Sequence, residues 1–205
     1  MRKRAVNLLV AATVMGQGVA ITTSAKAAFI LKYEEVGTDV VGKGSGFLDV
    51  TGLTFFGSTS GLCTNIGPAE AVACVGPDLS PLIDTYRGSI GGPSNFGPGL
   101  VSPRFSSGSG DLVALSLLFD DIDVPAGSVS TSFLSGDITF ANSSFQSIGM
   151  TPGTYVWSWG SGMHADTFTV QVGVPEPSSW ALLLAGFGAL GLVGYRRTRK
   201  AEALG

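Results

Sequence analysis

Residues 153–172 read GTYVWSWGSGMHADTFTVQV, two alternating runs separated by a glycine-containing turn. The runs 155–159 and 167–172 place large side chains at every second position, a period of two that is typical of a β-strand with one distinct face. Between them, Gly160-Ser161-Gly162 favours a hairpin-like turn. The segment therefore predicts two neighbouring strands of a β-protein.

Short runs of the same kind continue through the middle of the chain. Each is bounded by Gly, Ser, Asn, Asp or Pro, and no stretch between the two ends keeps a helical period over the roughly 11 residues that a helix assignment needs. Many short strands with frequent turns predict an all-β fold, a two-sheet β-sandwich that is jelly-roll-like. The further runs cover residues 28–36, 45–50, 54–56, 111–119, 129–134 and 137–140.

Two segments are predicted to interrupt the strands. Residues 57–109 are rich in Gly, Pro and Ser, which predicts a long loop with little regular structure. Ser135-Gly136-Asp137 lies between two runs and predicts a hairpin turn. The sandwich is thus expected to carry one long Gly/Pro-rich loop.

The N-terminus has the three parts of a secretory signal peptide. Arg2, Lys3 and Arg4 precede an apolar stretch, and Ala25-Lys26-Ala27 supplies the small residues of a cleavage site. Residues 1–27 are therefore a predicted signal helix that is removed after Ala27, with cleavage after Ala28 as a near alternative. The apolar stretch is too short and too interrupted by glycine for a transmembrane helix.

The C-terminus also has three parts. Pro175-Glu176-Pro177 disfavours regular structure, since each proline fixes its φ angle and lacks an amide donor. Residues 180–195 contain no charge and would span about 24 Å as a helix, beginning at Trp180. A basic cluster then predicts that this end stays in the cytoplasm, while the preceding chain lies outside it. The cluster consists of Arg196, Arg197, Arg199 and Lys200. On physical grounds alone, an ordinary single-span tail anchor is the simpler interpretation.

This tail resembles the PEP-CTERM sorting signal in its PEPxxWA form. The motif positions are Pro175, Glu176, Pro177, Trp180 and Ala181, followed in order by the apolar span and the basic end. The resemblance implies recognition and cleavage near the motif by exosortase, an integral-membrane protease. It divides residues 174–200 into a motif at 174–179, a transmembrane helix at 180–195 and a basic stop at 196–200.

Between the two signals, residues 28–173 form one predicted domain with an acidic charge. Four basic residues stand against thirteen of the chain's 15 acidic residues, which gives a net charge of −9. The whole-chain value is only −3 because most basic residues belong to the signals. Such a charge argues against nucleic acid or an anionic membrane surface as partners.

Cys63 and Cys74 are the two cysteines of the chain, and both fall in the exported region. In an oxidising compartment such a pair predicts a disulfide. A metal or redox pair is the alternative, although no CxxC motif or nearby histidine supports it.

Tyr155, Trp157 and Trp159 are predicted to share one face of a strand. If that face is buried, the three side chains belong to the core. If it is exposed, they form a platform on which sugar rings could stack. The core is the favoured interpretation, because a strand of this length needs its large residues inside.

Two polar groups are weaker candidates for chemistry. Asp120, Asp121 and Asp123 offer oxygen ligands for Ca²⁺, but their spacing is not that of an EF-hand, and the simpler interpretation is a solvated acidic turn. His164, the single histidine, could form a catalytic set with Asp166, but no Gly-x-Ser-x-Gly motif is present to hold a nucleophile.

The sequence thus predicts an exported protein that is not an enzyme and needs no cofactor or resident metal. The Sec translocon and signal peptidase act first, the inner membrane holds the chain transiently, and exosortase then releases it. The resemblance implies a destination at the cell surface or in the exopolysaccharide matrix. The leading function is structural, and the alternative is a carbohydrate-binding module that uses the aromatic strand.

Overall fold

A computed structural model describes residues 28–63, 65–174 and 187. These residues form eleven strands and one short helix, α1. The strands are β1 (Ala28–Val36), β2 (Asp39–Gly46), β3 (Thr54–Leu62), β4 (Val72–Val75), β5 (Leu79–Arg87), β6 (Ser107–Gly110), β7 (Val113–Ser116), β8 (Asp121–Pro125), β9 (Leu134–Phe140), β10 (Gly153–Trp159) and β11 (Asp166–Val172), and α1 is Phe145–Ile148. Single 3₁₀ turns cover Val50–Gly52, Pro68–Glu70 and Gly162–His164.

The strands form two sheets. The first sheet has the order β10-β11-β1-β2-β9-β6, and the second has the order β3-β5-β8-β7-β4. All pairs are antiparallel except β1 with β11, which run parallel. The prediction of a mostly β, two-sheet protein is confirmed. The parallel pair departs from the jelly-roll-like arrangement that was also expected, because jelly rolls are antiparallel.

The two sheets share one apolar core. Phe29 in β1 and Val75 in β4 approach from opposite sheets, and Gly44 in β2 lies between them. A Cβ at Gly44 would stand 2.7 Å from the Phe29 ring and 2.9 Å from the Val75 side chain, so only glycine allows this approach. Across the same interface, the Tyr33 hydroxyl donates to the Cys74 carbonyl at 3.3 Å, and burial raises the pKa of Tyr33.

Several predicted elements are corrected by the structure. The run at 45–50 is wrong, because the strand is β2 at Asp39–Gly46, and most of the run at 129–134 precedes β9 rather than forming a strand. Ser135-Gly136-Asp137 lies inside β9 and is not a turn. The long loop predicted at 57–109 is also wrong in extent, since it contains β4, β5, most of β3 and part of β6. Its irregular part is confined mainly to residues 88–106.

Candidate functional site

The folded domain ends where the predicted sorting segment begins. Val172, the last residue of β11, pairs with Tyr33 of β1 and with Gly153 of β10. The amide of Gly173 then donates to the Tyr33 carbonyl at 2.9 Å. Gly173 has a φ of +57°, and a Cβ there would lie 2.9 Å from the Phe145 ring, so the position requires glycine. No linker separates the sheet from the segment that follows.

The start of the domain is equally close to its predicted processing site. Ala28 begins β1, pairs with Thr167 and accepts a hydrogen bond from the Phe47 amide at 3.3 Å. Because β1 and β11 are parallel neighbours, the chain enters at one end of the first sheet and leaves toward the other. Removal of residues 1–27 and of the tail would leave all eleven described strands in place.

The signal peptide and the sorting motif lie outside the described residues. The same holds for the predicted transmembrane helix, apart from Phe187, and for the basic stop. The residues concerned are Pro175, Glu176, Pro177, Trp180, Ala181, Arg196, Arg197, Arg199 and Lys200. Within residues 28–63 and 65–174, no helix is long and apolar enough to cross a membrane.

The predicted disulfide between Cys63 and Cys74 is confirmed. Their Cα atoms lie 6.0 Å apart, and both residues are buried. Cys63 follows β3 directly and Cys74 lies in β4, which are the two edge strands of the second sheet. The bond therefore joins the two edges of one sheet rather than holding a separate loop.

The aromatic strand points into the core. Trp157 and Trp159 are buried, and Tyr155 is half-buried on the same face of β10, whereas Val156 on the other face is exposed. The shared face and its core assignment are therefore supported. A sugar-stacking platform made of these three rings finds no support in the folded domain, because Trp157 is completely buried and Trp159 is only 3% exposed.

Residues of the 88–106 loop complete the packing of this strand. The Trp157 ring contacts Phe96 edge-on at 6.3 Å between ring centroids, and its Nε1 donates to the Pro93 carbonyl at 2.8 Å. Trp159 donates from Nε1 to the Asp49 carbonyl, also at 2.8 Å. The indole nitrogens are thus satisfied inside the protein, as buried tryptophans usually are.

His164 pairs with Asp49 rather than with Asp166. Its Nδ1 lies 3.1 Å from Asp49 Oδ2, while the buried Asp166 carboxylate accepts from the backbone amides of Asp49 and Thr167. Burial would raise the pKa of Asp49, but hydrogen bonds from Thr51 and His164 lower it overall. The side chain that His164 contacts is thus Asp49, a residue that the sequence analysis did not consider.

The three calcium candidates do not converge either. Asp120 lies in the turn before β8 with a φ of +52°, whereas Asp121 and Asp123 belong to β8 itself. In the part of the chain that the structure describes, no group of three or more His, Cys, Asp or Glu side chains is placed to hold a metal ion. The interpretation as a solvated turn holds for Asp120, which is exposed, but is wrong for Asp121 and Asp123, because both belong to β8 and Asp121 is buried.

Asp121 and Asp123 instead face a groove on the outer face of the second sheet, the face turned away from the first sheet. Ile122 and Val124 alternate with them and enter the core, which leaves the two carboxylates on the opposite side. The groove has a volume of about 390 Å³. We name it the outer groove, and it is lined by Phe56, Gly57, Ser58, Thr59, Ser60, Gly61, Ile83, Thr85, Arg87, Asp121 and Asp123.

Cross-strand pairing places the polar groups of the outer groove. Arg87 is opposite Asp121, and its Nε lies 3.5 Å from Asp121 Oδ2. Thr85 is opposite Asp123 and donates from Oγ1 to Oδ1 at 2.6 Å. The Arg87 guanidinium also lies over the Phe56 ring, 3.6 Å from its centroid, which is a cation–π contact.

The acidic side of the outer groove is partly desolvated. Burial is the main reason that the pKa of Asp121 is raised to about 6; the negative charge of Asp123 also raises it, and Arg87 opposes the rise. Burial also raises the pKa of Asp123, against the hydrogen bond from Thr85. Neighbouring carboxylates with raised pKa values in a cleft are a feature that often marks functional sites.

This raised pKa predicts how pH affects stability. The pKa of Asp121 is about 6 in the folded domain against an ordinary 3.8, so the native state holds this proton more tightly than the unfolded chain does. The contribution of the protonated Asp121 carboxyl to the free energy of unfolding is fully present below pH 3.8 and is lost as the pH rises to about 6. The loss amounts to at most about 3 kcal/mol.

Urea unfolding of Asp121→Asn across this pH window, and on either side of it, checks the prediction. The variant should show a smaller fall in the free energy of unfolding than the wild type, because only Asp123, whose pKa is also raised, still contributes to it. Asp120→Asn is the matched control, because it removes the neighbouring exposed carboxyl and should keep the wild-type fall. Parallel curves for wild type and Asp121→Asn would contradict the assignment.

The sequence analysis missed Phe56, Thr85 and Arg87 as groove residues. Thr85 and Arg87 lay inside the stretch that its glycine and proline content assigned to a loop. The signal that could have found the acidic side is the alternation Asp121-Ile122-Asp123-Val124, which has the period of a strand rather than of a turn. The role of Phe56 had no such signal, because it depends on strand pairing far along the chain.

A family model described as the PEP-CTERM protein-sorting motif matches residues 173–200. No curated protein and no solved structure matches the chain. The match begins at Gly173, the residue that makes the last backbone hydrogen bond of the first sheet. The chain is thus a two-sheet β-protein with a C-terminal sorting signal. The particular signal is a PEP-CTERM motif at the position expected of an exosortase substrate, which indicates an exported, exosortase-sorted protein.

Proposed function

We propose that the protein is a non-catalytic structural component of the cell surface or the exopolysaccharide matrix. The observation that carries the proposal is the position of the domain: its first strand begins at Ala28 and its last backbone contact is made by Gly173, where the sorting motif begins. In this scheme the Sec translocon and signal peptidase remove one end, and exosortase removes the other. The whole described domain is then delivered outside the cell.

The short connection to the membrane supports release as a necessary step. Six residues, 174–179, separate Gly173 from the predicted membrane span at 180–195. Fully extended, they reach only roughly 20 Å. The uncleaved domain would therefore stay close to the inner membrane, and a role in the matrix requires cleavage.

A non-catalytic role draws support from the way the candidate groups are used. The His164 ring pairs with Asp49, and the Asp166 carboxylate accepts hydrogen bonds from backbone amides. The aromatic strand is occupied by packing. The residues that were considered for catalysis therefore have a structural role in the fold.

Changing the motif prolines tests delivery. In Pro175→Ala with Pro177→Ala, the altered motif should leave the chain uncleaved and retained with the inner membrane. Fractionation followed by immunoblotting measures this. Ser178→Ala with Ser179→Ala is the matched control, since these serines occupy the two unspecified positions of the motif and should be processed normally. Normal release of the proline variant would contradict the proposal.

Deleting the protein tests its role in the matrix. A structural component should change matrix cohesion and protein retention without altering the chain-length distribution of the polysaccharide. Rheology and size-exclusion chromatography of extracted polysaccharide measure the two effects. A shift in polysaccharide chain length, restored by complementation, would favour an enzyme instead.

A further inference from the structure

The outer groove owes its shape to an irregular edge strand. The pairing of β3 with β5 shifts register between Phe55 and Gly57 and again between Thr59 and Gly61. Such bulges bend a strand and often occur beside binding sites. A Cβ at Gly57 would meet nothing within 4 Å, whereas one at Gly61 would press on the Ile83 side chain at 2.7 Å. The glycines thus keep the space beside β3 open and let the strand lie close to β5.

The outer groove also has hydrogen-bonding capacity that the protein leaves unused. The buried Nε of Arg87 has no hydrogen-bond partner, and at 3.5 Å its contact with Asp121 is longer than a usual hydrogen bond. Ser116 does not line the groove, but it lies directly opposite Asp121 in the pairing of β7 with β8, and its buried Oγ also lacks a partner. Buried polar atoms without partners are rare in folded proteins, so each calls for an explanation.

One wall of the groove is aromatic and exposed. Phe56 is 65% exposed although one face of its ring lies under Arg87. The opposite side of the groove presents the Asp121 and Asp123 carboxylates. Within about 390 Å³ the groove therefore offers a ring for stacking, a guanidinium donor and two carboxylate acceptors. This volume lies within the range of roughly 300–1,000 Å³ found for small-molecule sites.

This combination fits a neutral sugar. Hydroxyl groups both donate and accept, so one saccharide satisfies carboxylates and a guanidinium together. The C–H face of a pyranose is apolar and packs on an exposed aromatic ring. Two carboxylates against one arginine, in a domain with a net charge of −9, disfavour uronic acids and sulfated glycans.

We propose that the outer groove binds a neutral polysaccharide segment through stacking on Phe56 and hydrogen bonds to Arg87, Asp121 and Asp123. This proposal adds a ligand to the proposed matrix role. It rests on that proposed function, because the matrix supplies the polysaccharide. The site differs from the aromatic strand considered from the sequence, which lies in the core of the domain.

Binding is tested with the exported, processed protein on an array of oligosaccharides. The array carries neutral hexose, N-acetylhexosamine and uronic-acid series, and titration calorimetry follows each positive signal. The wild type should bind a neutral series and not the uronic-acid series. Phe56→Ala and Asp123→Asn should each weaken binding at least about tenfold, equivalent to roughly 1.4 kcal/mol.

Phe55→Ala is the matched control. Phe55 is the adjacent residue, is 54% exposed, and contacts Tyr86 rather than lining the outer groove. It should bind like the wild type, and melting temperatures confirm that all variants are folded. Equal binding by folded Phe56→Ala and wild type, preference for uronic acids, or absence of binding to every neutral series would overturn the inference.

The outcomes also separate this inference from the proposed function. A correctly processed protein that enters the matrix but binds no neutral glycan overturns the groove assignment and leaves the structural role standing. A protein that binds neutral glycans in vitro but is never cleaved or delivered supports the groove assignment while contradicting the proposed function.

Discussion

Trp157→Ala is expected to lower the free energy of unfolding by about 3–5 kcal/mol. The side chain is completely buried, packs edge-on against Phe96 and donates to the Pro93 carbonyl. Truncation leaves a cavity where β10 meets the 88–106 loop and also leaves the Pro93 carbonyl without its donor. For a domain with a total stability of about 5–15 kcal/mol, such a loss should reduce export as well.

Val156→Ala is the control for this variant. Val156 lies next to Trp157 in β10 but is 45% exposed on the opposite face. Its truncation should change stability by less than about 1 kcal/mol. Denaturant unfolding of both exported variants measures the difference. If Trp157→Ala proves as stable as Val156→Ala, the assignment of β10 to the core is contradicted.

Removing the disulfide is expected to cost on the order of 3 kcal/mol. The bond closes a short segment of chain, with 11 residues of sequence separation, and joins the two edge strands of the second sheet. Cys63→Ser with Cys74→Ser should therefore loosen that sheet as a whole. Because the outer groove lies on this sheet, its shape should be affected as well.

Hydrogen exchange distinguishes this expectation from a local effect. The double variant should lose protection in β3, β4 and β5, while β1 and β11 of the first sheet change less. Wild-type protein unfolded with reductant present gives the control, and it should match the double variant in stability. Loss of protection confined to residues 64–71 would contradict the edge-to-edge role of the bond.

Strands with regular alternation were predictable from the sequence. β1 has the predicted bounds, and β10 and β11 alternate large inward and small or polar outward residues, which is the direct signature of a half-buried strand. Strand prediction failed where glycine occupies a position that faces the core. Gly42 and Gly44 sit in β2 because the rings of Tyr33 and Phe29 occupy the space that their side chains would need. A glycine of this kind resembles a turn signal in the sequence, although its cause is tertiary packing.

The same limit applies to the sites. The sorting motif was predictable because it consists of contiguous residues. The disulfide was predictable because the chain has only two cysteines. The outer groove was not, because it combines Phe56 of β3, Arg87 of β5 and Asp121 of β8, which only sheet pairing brings together. The burial that raises the pKa of Asp121 is likewise a property of the folded sheet.

The measurement that most directly tests processing at both ends is the intact mass of the protein recovered outside the cell. A chain that starts at Ala28 or Phe29 and ends between Val174 and Ser179 is the predicted result. A start at Ala28 is favoured, because its carbonyl accepts the Phe47 amide at the first pair of β1. Recovery of an exported chain that still carries residues 180–205 would contradict the account.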